Sequence, residues 1–140
     1  MWEWGTLEVW HREYLISDDK SLVDSDVVCD FLSKSYWANH RTPEVIRKSI
    51  DNSVCYGIYH GDNMIGFARV VTDWATVYYL CDVFIDENHR GRGLGKKLVE
   101  AIIADFPSMM GLLGTKDAHG LYEQYGFVRD TQRFMRRRPR

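Results

Sequence analysis

The sequence is short of cysteine, of long apolar runs and of net charge, and each shortage excludes a class of protein. Its three cysteines, Cys29, Cys55 and Cys81, form an odd set without CxxC spacing, which argues against a disulfide framework or a zinc site. Each lies in an apolar run, where a reduced, buried thiol is the ordinary expectation. No apolar run approaches the ~20 residues needed to span a bilayer. The opening Met1-Trp2-Glu3-Trp4 has neither the basic nor the apolar region of a secretory signal. A cytoplasmic protein with no membrane partner is therefore expected. The net charge of −2 argues against nucleic acid as the main partner. One local exception is the arginine-rich end, with Arg129, Arg133, Arg136, Arg137, Arg138 and Arg140. It reads as a nucleic-acid arm or as a solvated tail that discourages edge pairing, and the second reading is preferred. Repeats, low-complexity tracts and linkers are also missing.

What is present suits one domain over residues 1–140: hydrophobic residues make up 45% and aromatics 14% of the chain. Thr6 to Leu15 is rich in β-formers and reads as an opening strand. Ser21 with Asp24 suggests a capping box for a helix over roughly 22–36, with Val27, Val28, Phe31 and Leu32 on its apolar face. Thr42 as N-cap and Pro43 at the first position announce a second helix, whose buried stripe is Val45, Ile46 and Ile50. Strands are expected over Val54–His60 and Met64–Thr72, around a Gly61-Asp62-Asn63 turn. A third is expected over Val77–Asp86, with Leu80, Val83, Phe84 and Ile85 buried on both faces. Leu94, Leu98 and Ile102 mark a helix that Pro107 stops. A strand over Met109–Gly114, a short helix over Asp117–Tyr125 and a last strand over Phe127–Met135 complete the reading. The expected fold is a single mixed α/β domain centred on one sheet.

The most informative stretch is Asp86-Glu87-Asn88-His89-Arg90-Gly91-Arg92-Gly93-Leu94-Gly95-Lys96-Lys97, which joins a buried strand to an amphipathic helix. Glycines there let the backbone approach a ligand and turn its N–H groups inward. Those donors and the positive helix end form an anion site, rimmed by Arg90, Arg92, Lys96 and Lys97. A pyrophosphate is the natural guest. Two common phosphate motifs do not fit. Gly95-Lys96 is followed by Lys97 where a P-loop needs a hydroxyl, and Lys96 stands where a dinucleotide fold needs its third glycine. What fits is Arg90-x-x-Gly93-x-Gly95.

That motif, between a central strand and a helix, resembles the coenzyme A motif of the GNAT N-acetyltransferase superfamily. A second similarity lies in Ala118-His119-Gly120-Leu121-Tyr122-Glu123-Gln124-Tyr125-Gly126-Phe127, which resembles the family's alanine followed by Tyr-x-x-x-Gly-Phe. The resemblance is good over residues 54–135 and holds only in element order before them. It implies a GNAT-like domain in which two neighbouring parallel strands splay apart. It also implies acetyl-CoA as cosubstrate, with no metal. Backbone N–H groups of Arg90, Gly91, Arg92, Gly93, Leu94, Gly95 and Lys96 would hold the pyrophosphate. The strand Val83-Phe84-Ile85 would pair with the pantetheine arm through Val83 and Ile85, and an N–H near Val83 would polarise the thioester carbonyl. Tyr122 would be the acid that protonates the departing thiolate. Thr115 replaces an asparagine that the family often carries.

Asp82, an acidic residue in an apolar strand, is the candidate base, with a structural acceptor as the plain alternative. His119 could be a base or a phosphate contact, but reads chiefly as a capping or surface residue. By the resemblance, the connection between the first two helices lines the acceptor cleft. Tyr36, Trp37 and Arg41 could grip an aromatic or anionic acceptor there, with Trp74 closing the other side. The expected activity is transfer of acetyl to an amine of a small molecule or protein by direct attack in a ternary complex. The competing expectation is a non-catalytic acyl-CoA sensor or interaction module on the same fold. Exposed sheet edges also leave room for a homodimer.

Overall fold

The computed structural model describes residues 7–139. Its six-stranded mixed sheet runs in chain order, β1 (Glu8–His11), β2 (Tyr14–Ser17), β3 (Val54–His60), β4 (Asn63–Thr72), β5 (Val77–Ile85) and β6 (Met110–Leu113). Every neighbouring pair is antiparallel except β5 with β6. Four helices cover its faces: α1 (Ser25–Ser33), α2 (Pro43–Asp51), α3 (Leu94–Asp105) and α4 (His119–Glu123).

Strand alternation feeds two cores, one on each face of the sheet. Tyr56, Ile58, Leu80, Leu98 and Ile102 belong to the core under α3 and α4. Cys55, Phe67, Phe84, Val28, Leu32 and Ile46 belong to the core under α1 and α2. Among the described residues, no helix is long and apolar enough to cross a membrane. All three cysteines are free, with Cys55 buried and Cys29 and Cys81 half-buried.

Several boundaries differ from the sequence expectation, each for a local reason. The opening strand is a hairpin, because Arg12 adopts a left-handed φ of 56° and turns the chain between His11 and Tyr14. Thr6, its expected first residue, lies outside the described residues, as does Arg140. The first helix starts later and stops earlier than expected. Asp24 itself is the N-cap, accepting from the amides of Asp26 and Val27, and Lys34 closes the helix. Ser21 instead sits in a short 3-10 turn capped by Asp19. Tyr36 and Trp37 are thereby left in the connection rather than on the helix. Thr42 caps α2 as expected, but Val45 is 52% exposed while Ile46 and Ile50 are buried.

The final strand over Phe127–Met135 does not form. The stretch is irregular apart from a turn at residues 131–133, and Val128, Phe134 and Met135 stay exposed, so little apolar surface is buried to hold a strand; Arg129 pairs with Glu123 and Arg133 with Asp130 at the surface. The expectation that Leu80, Val83, Phe84 and Ile85 are all buried is also corrected. Leu80 and Phe84 are buried on opposite faces, whereas Val83 and Ile85 are partly covered by the α3 side. The cause is a bulge in β5, described next.

Candidate functional site

Strand β5 carries the site, and its two ends differ. From Val77 to Leu80 it pairs with β6, the last partners being Leu80 and Leu113. β5 then runs on to Ile85 while β6 has ended. The register with β4 also shifts in this region, between Phe67/Phe84 and Arg69/Cys81. Asp82 sits in that bulge at a left-handed φ of 53°, a conformation that aspartate tolerates better than most residues. The extra residue inverts the alternation, so the odd-numbered positions Val83 and Ile85 turn to the face used by Leu80. Beyond Leu80 the strand therefore offers an edge that β6 does not fill.

Past Ile85 the chain folds into a short loop whose shape is fixed at several points. The Asp86 amide donates to the Ile65 carbonyl at 2.7 Å, and the Asp86 carboxylate accepts from the Asn88 amide at 3.0 Å. Arg90 Nε donates back to the Ile85 carbonyl at 2.9 Å. Gly91 and Gly93 have φ of 76° and 78°, values that other residues adopt only with strain. Gly93 is the N-cap of α3 and supplies no side-chain cap. The first helical bond runs from the Lys97 amide to the Gly93 carbonyl, so the amides of Leu94, Gly95 and Lys96 precede it and have no intrahelical acceptor.

These amides, with the exposed Arg90, Arg92 and Lys96, suit an anion. Space suits it as well: among the described residues a Cβ added at Gly91 would meet nothing within 4 Å, and at Gly93 only His11 Nε2 at 3.8 Å. Leu94 is buried and anchors the junction in the core. Gly95 lies between Ile85 and Leu121, each 3.7 Å from where its Cβ would be, which brings β5, α3 and α4 together at one point.

Tyr122, from α4, is 7% exposed and makes an edge contact with Phe127 at 5.9 Å. Burial, followed by the nearby carboxylate of Asp117 and the neighbouring Tyr36, raises its hydroxyl pKa above the ordinary tyrosine value. Tyr36 reaches towards α4 from the other wall, and its ring carries Lys116 Nζ at 5.3 Å. Ahead of α4, Thr115 Oγ1 accepts from the Ala118 amide at 3.0 Å, so this residue holds the helix start.

Asp82 is the hub of the opposite wall. Trp37 Nε1 donates to it at 2.9 Å, Arg41 Nη1 bridges both oxygens at 2.9 and 3.1 Å, and Arg69 Nε donates at 2.9 Å. Burial alone would raise its pKa, but Arg69 and then Arg41 and Trp37 outweigh burial and hold it below the usual carboxylate value. Trp37 and Arg41 therefore come together as expected, though clamped on Asp82. Trp74 does not join them. It packs on Phe106, ring centres 5.4 Å apart, at the end of the sheet away from the glycine loop, because its turn precedes β5.

Sequence reading missed Arg69, although a lone arginine in an apolar strand beside a strand with a lone aspartate was the available signal. It also missed His11 and His89, whose contacts span more than seventy residues and leave no local pattern.

Comparison with known proteins agrees with this geometry. A model described as the Acetyltransferase (GNAT) family matches residues 12–127. A GNAT-family protein of Xanthomonas campestris pv. campestris, seen in a crystal structure, is 37% identical, with a TM-score of 0.87 over 93% of this chain and 96% of that one. A predicted acetyltransferase of Clostridium acetobutylicum, crystallised with acetyl-CoA, shares the fold at 14% identity and a TM-score of 0.65, over 89% of this chain and 94% of that one. A candidate acetyltransferase of Gibberella zeae is 26% identical over 66% of this chain and 64% of its own length. An uncharacterized N-acetyltransferase of Gracilaria tenuistipitata var. liui is 29% identical over 79% and 63%. The chain thus spans less than two thirds of the curated relatives it matches.

Proposed function

The chain belongs to the acetyltransferase (GNAT) family, and from that premise we propose that it transfers acetyl from acetyl-CoA to an amine by direct attack in a ternary complex. The observation that carries the proposal is the junction at residues 90–96, where consecutive amides, open glycine faces and cationic side chains converge beside an unfilled strand edge. Coenzyme A supplies the activated acetyl group as a thioester. The loop amides bind its diphosphate, and the β5 edge at Val83 and Ile85 offers main-chain groups to the pantetheine arm. An N–H beside the bulge orients and polarises the carbonyl, a contribution worth roughly 10²–10³-fold in rate.

The amine must attack in its neutral form. For a lysine-like amine with a pKa near 10.4, reaching that form at pH 7 costs about 4.6 kcal/mol. The new N–C bond forms as the C–S bond breaks, and the sulfur leaves with the bonding pair. Tyr122 is the acid we assign to that sulfur: among the described residues its hydroxyl has no hydrogen-bond partner, and its raised pKa keeps the proton on it until needed. Solvent then returns the proton to Tyr122 and takes the one released by the amine. Asp82 is not the base in this scheme. Two guanidinium groups stabilise its charged form, which makes it a weak proton acceptor, and its work is to hold Trp37, Arg41 and the bulge in register. Tyr36, exposed on the wall facing Tyr122, is the side chain we assign to meet the acceptor.

A thiol-release assay over an amine library tests the proposal, with coenzyme binding measured in parallel. Release with at least one small-molecule or peptide amine is expected. Tight coenzyme binding without release for any amine would favour a coenzyme sensor over an enzyme.

A further inference from the structure

The N-terminal hairpin touches the glycine loop at a point the proposed mechanism does not use. His11, the last residue of β1, has Nε2 at 2.9 Å from the Arg92 carbonyl, 81 residues away. A carbonyl can only accept, so Nε2 carries the proton in this contact. The same nitrogen is the nearest atom to a Cβ placed on Gly93, so the imidazole stands beside the two residues that open α3. Next along the hairpin, the Tyr14 hydroxyl hydrogen-bonds His89 Nδ1 at 2.7 Å, just before the loop begins. The rings of Tyr14 and His89 also meet edge to face at 5.6 Å. Between these two ties lies Arg12, held at φ 56° without being glycine. Such a backbone persists where its surroundings fix it.

A glycine-rich loop has many conformations available, and only those with the amides turned outward bind an anion. Holding the Arg92 carbonyl fixes the peptide plane between Arg92 and Gly93. It thereby sets the direction of the Gly93 N–H and of the helix entry that follows. We propose that His11 is a positioning residue for this loop, which it holds in the anion-binding conformation before coenzyme arrives. The proposal rests on the coenzyme site above and adds a residue from a distant strand to it.

The test is calorimetric titration with coenzyme A, alongside amide hydrogen exchange at residues 92–95 in ligand-free protein. Loss of one hydrogen bond predicts that His11→Ala raises Kd about fivefold and accelerates exchange at the loop. Acetyl-CoA KM should rise in parallel while kcat at saturation and the thermal midpoint hold. His11→Gln keeps an Nε2 donor at similar reach and should restore binding to within about twofold of wild type. Equal affinity for wild type and His11→Ala would overturn the proposal and leave the coenzyme site standing. A lowered thermal midpoint with no rescue by glutamine would reduce His11 to a fold contact and overturn it too. Failure of the wild type to bind coenzyme A at millimolar concentration would overturn the coenzyme reading itself. Loop exchange in His11→Ala would then decide separately whether the histidine holds the loop.

Discussion

The two walls that meet at β5 are made of different material. The glycine junction presents backbone amides: Gly91 and Gly93 carry no side chain to fill the space beside them, and Arg92 and Lys96 face solvent. The α1–α2 wall is made of side chains, with Trp37, Arg41 and Arg69 converging on one buried carboxylate. A backbone site depends on local dihedral angles, so changes there should act on ligand affinity and spare the fold. A side-chain hub depends on mutual charge satisfaction, so changes there should act first on stability. The sharpest way to break this contrast is to disturb each wall and see which quantity moves.

The largest effect is expected at the hub. Asp82→Ala leaves Arg69, whose side chain is 13% exposed, and Arg41, at 24%, without a counter-charge. Breaking such a pair costs about 3 kcal/mol, the low end of the range because Arg41 still reaches water. Urea denaturation measures it, and a loss below about 1 kcal/mol would reduce the hub to the level of a surface ion pair. The same carboxylate gives a pH signature. Its folded pKa lies below the ordinary 3.8, so its contribution is complete above that value and disappears as pH falls through the lowered one. Asp82→Asn should abolish this acid-side dependence.

Next comes Tyr122→Phe, expected to lower kcat about a hundredfold with coenzyme affinity intact. Burial first, then Asp117 and Tyr36, raises the hydroxyl pKa, so wild-type kcat should persist to pH values above the ordinary tyrosine range before falling. The variant should lack that alkaline limb. A Tyr122→Phe turnover equal to that of wild type at every pH from 6 to 9 would remove Tyr122 as the acid. At the junction, Gly93→Leu should raise the coenzyme Kd by about tenfold or more, through the φ of 78° and the filled space. Gly61, with φ 61° in the β3–β4 turn, supplies the control: Gly61→Leu has similar backbone strain and should leave that Kd unchanged.

The same contrast explains what could be read from the sequence. The junction is contiguous, and its glycine spacing between a strand and a helix follows from local chain geometry, so residues 90–96 stood out before any coordinates. Thr42-Pro43 and the β3–β4 hairpin were readable for the same reason. The hub was not readable, because Trp37, Arg41 and Arg69 lie 45, 41 and 13 residues from Asp82. A lone acid in an apolar strand looks alike whether it is a base or a structural anchor. Only its partners decide, and partners are set by packing. The bulge was hidden too, since an inverted alternation within one strand looks like a strand buried on both sides. Trp74 stands apart from the glycine loop because its turn precedes β5 while the loop follows it, a separation that the element order alone implies. The tail after Phe127 has strand-like residues, but Val128, Phe134 and Met135 bury little against the domain, and burial is what would have fixed a strand.

Cys81 gives the smallest expected effect and a direct test of ternary-complex attack. It precedes the bulge, where a thiol could in principle accept acetyl from the coenzyme and pass it on. That route needs a thiolate. Burial, despite the opposing charge of Arg69, pushes this thiol up to about 11, and its Sγ–H points to the Arg69 carbonyl at 3.6 Å. At pH 7 only about one molecule in 10⁴ would carry the reactive form. Cys81→Ala should keep kcat/KM within about twofold of wild type, and no acetyl-cysteine should appear in mass spectra of enzyme quenched during turnover. Loss of turnover with coenzyme binding preserved, together with an acetylated Cys81 in the wild type, would replace direct attack by a two-step transfer. The side-chain wall would then carry chemistry as well as structure, and the division drawn between the two walls would fail.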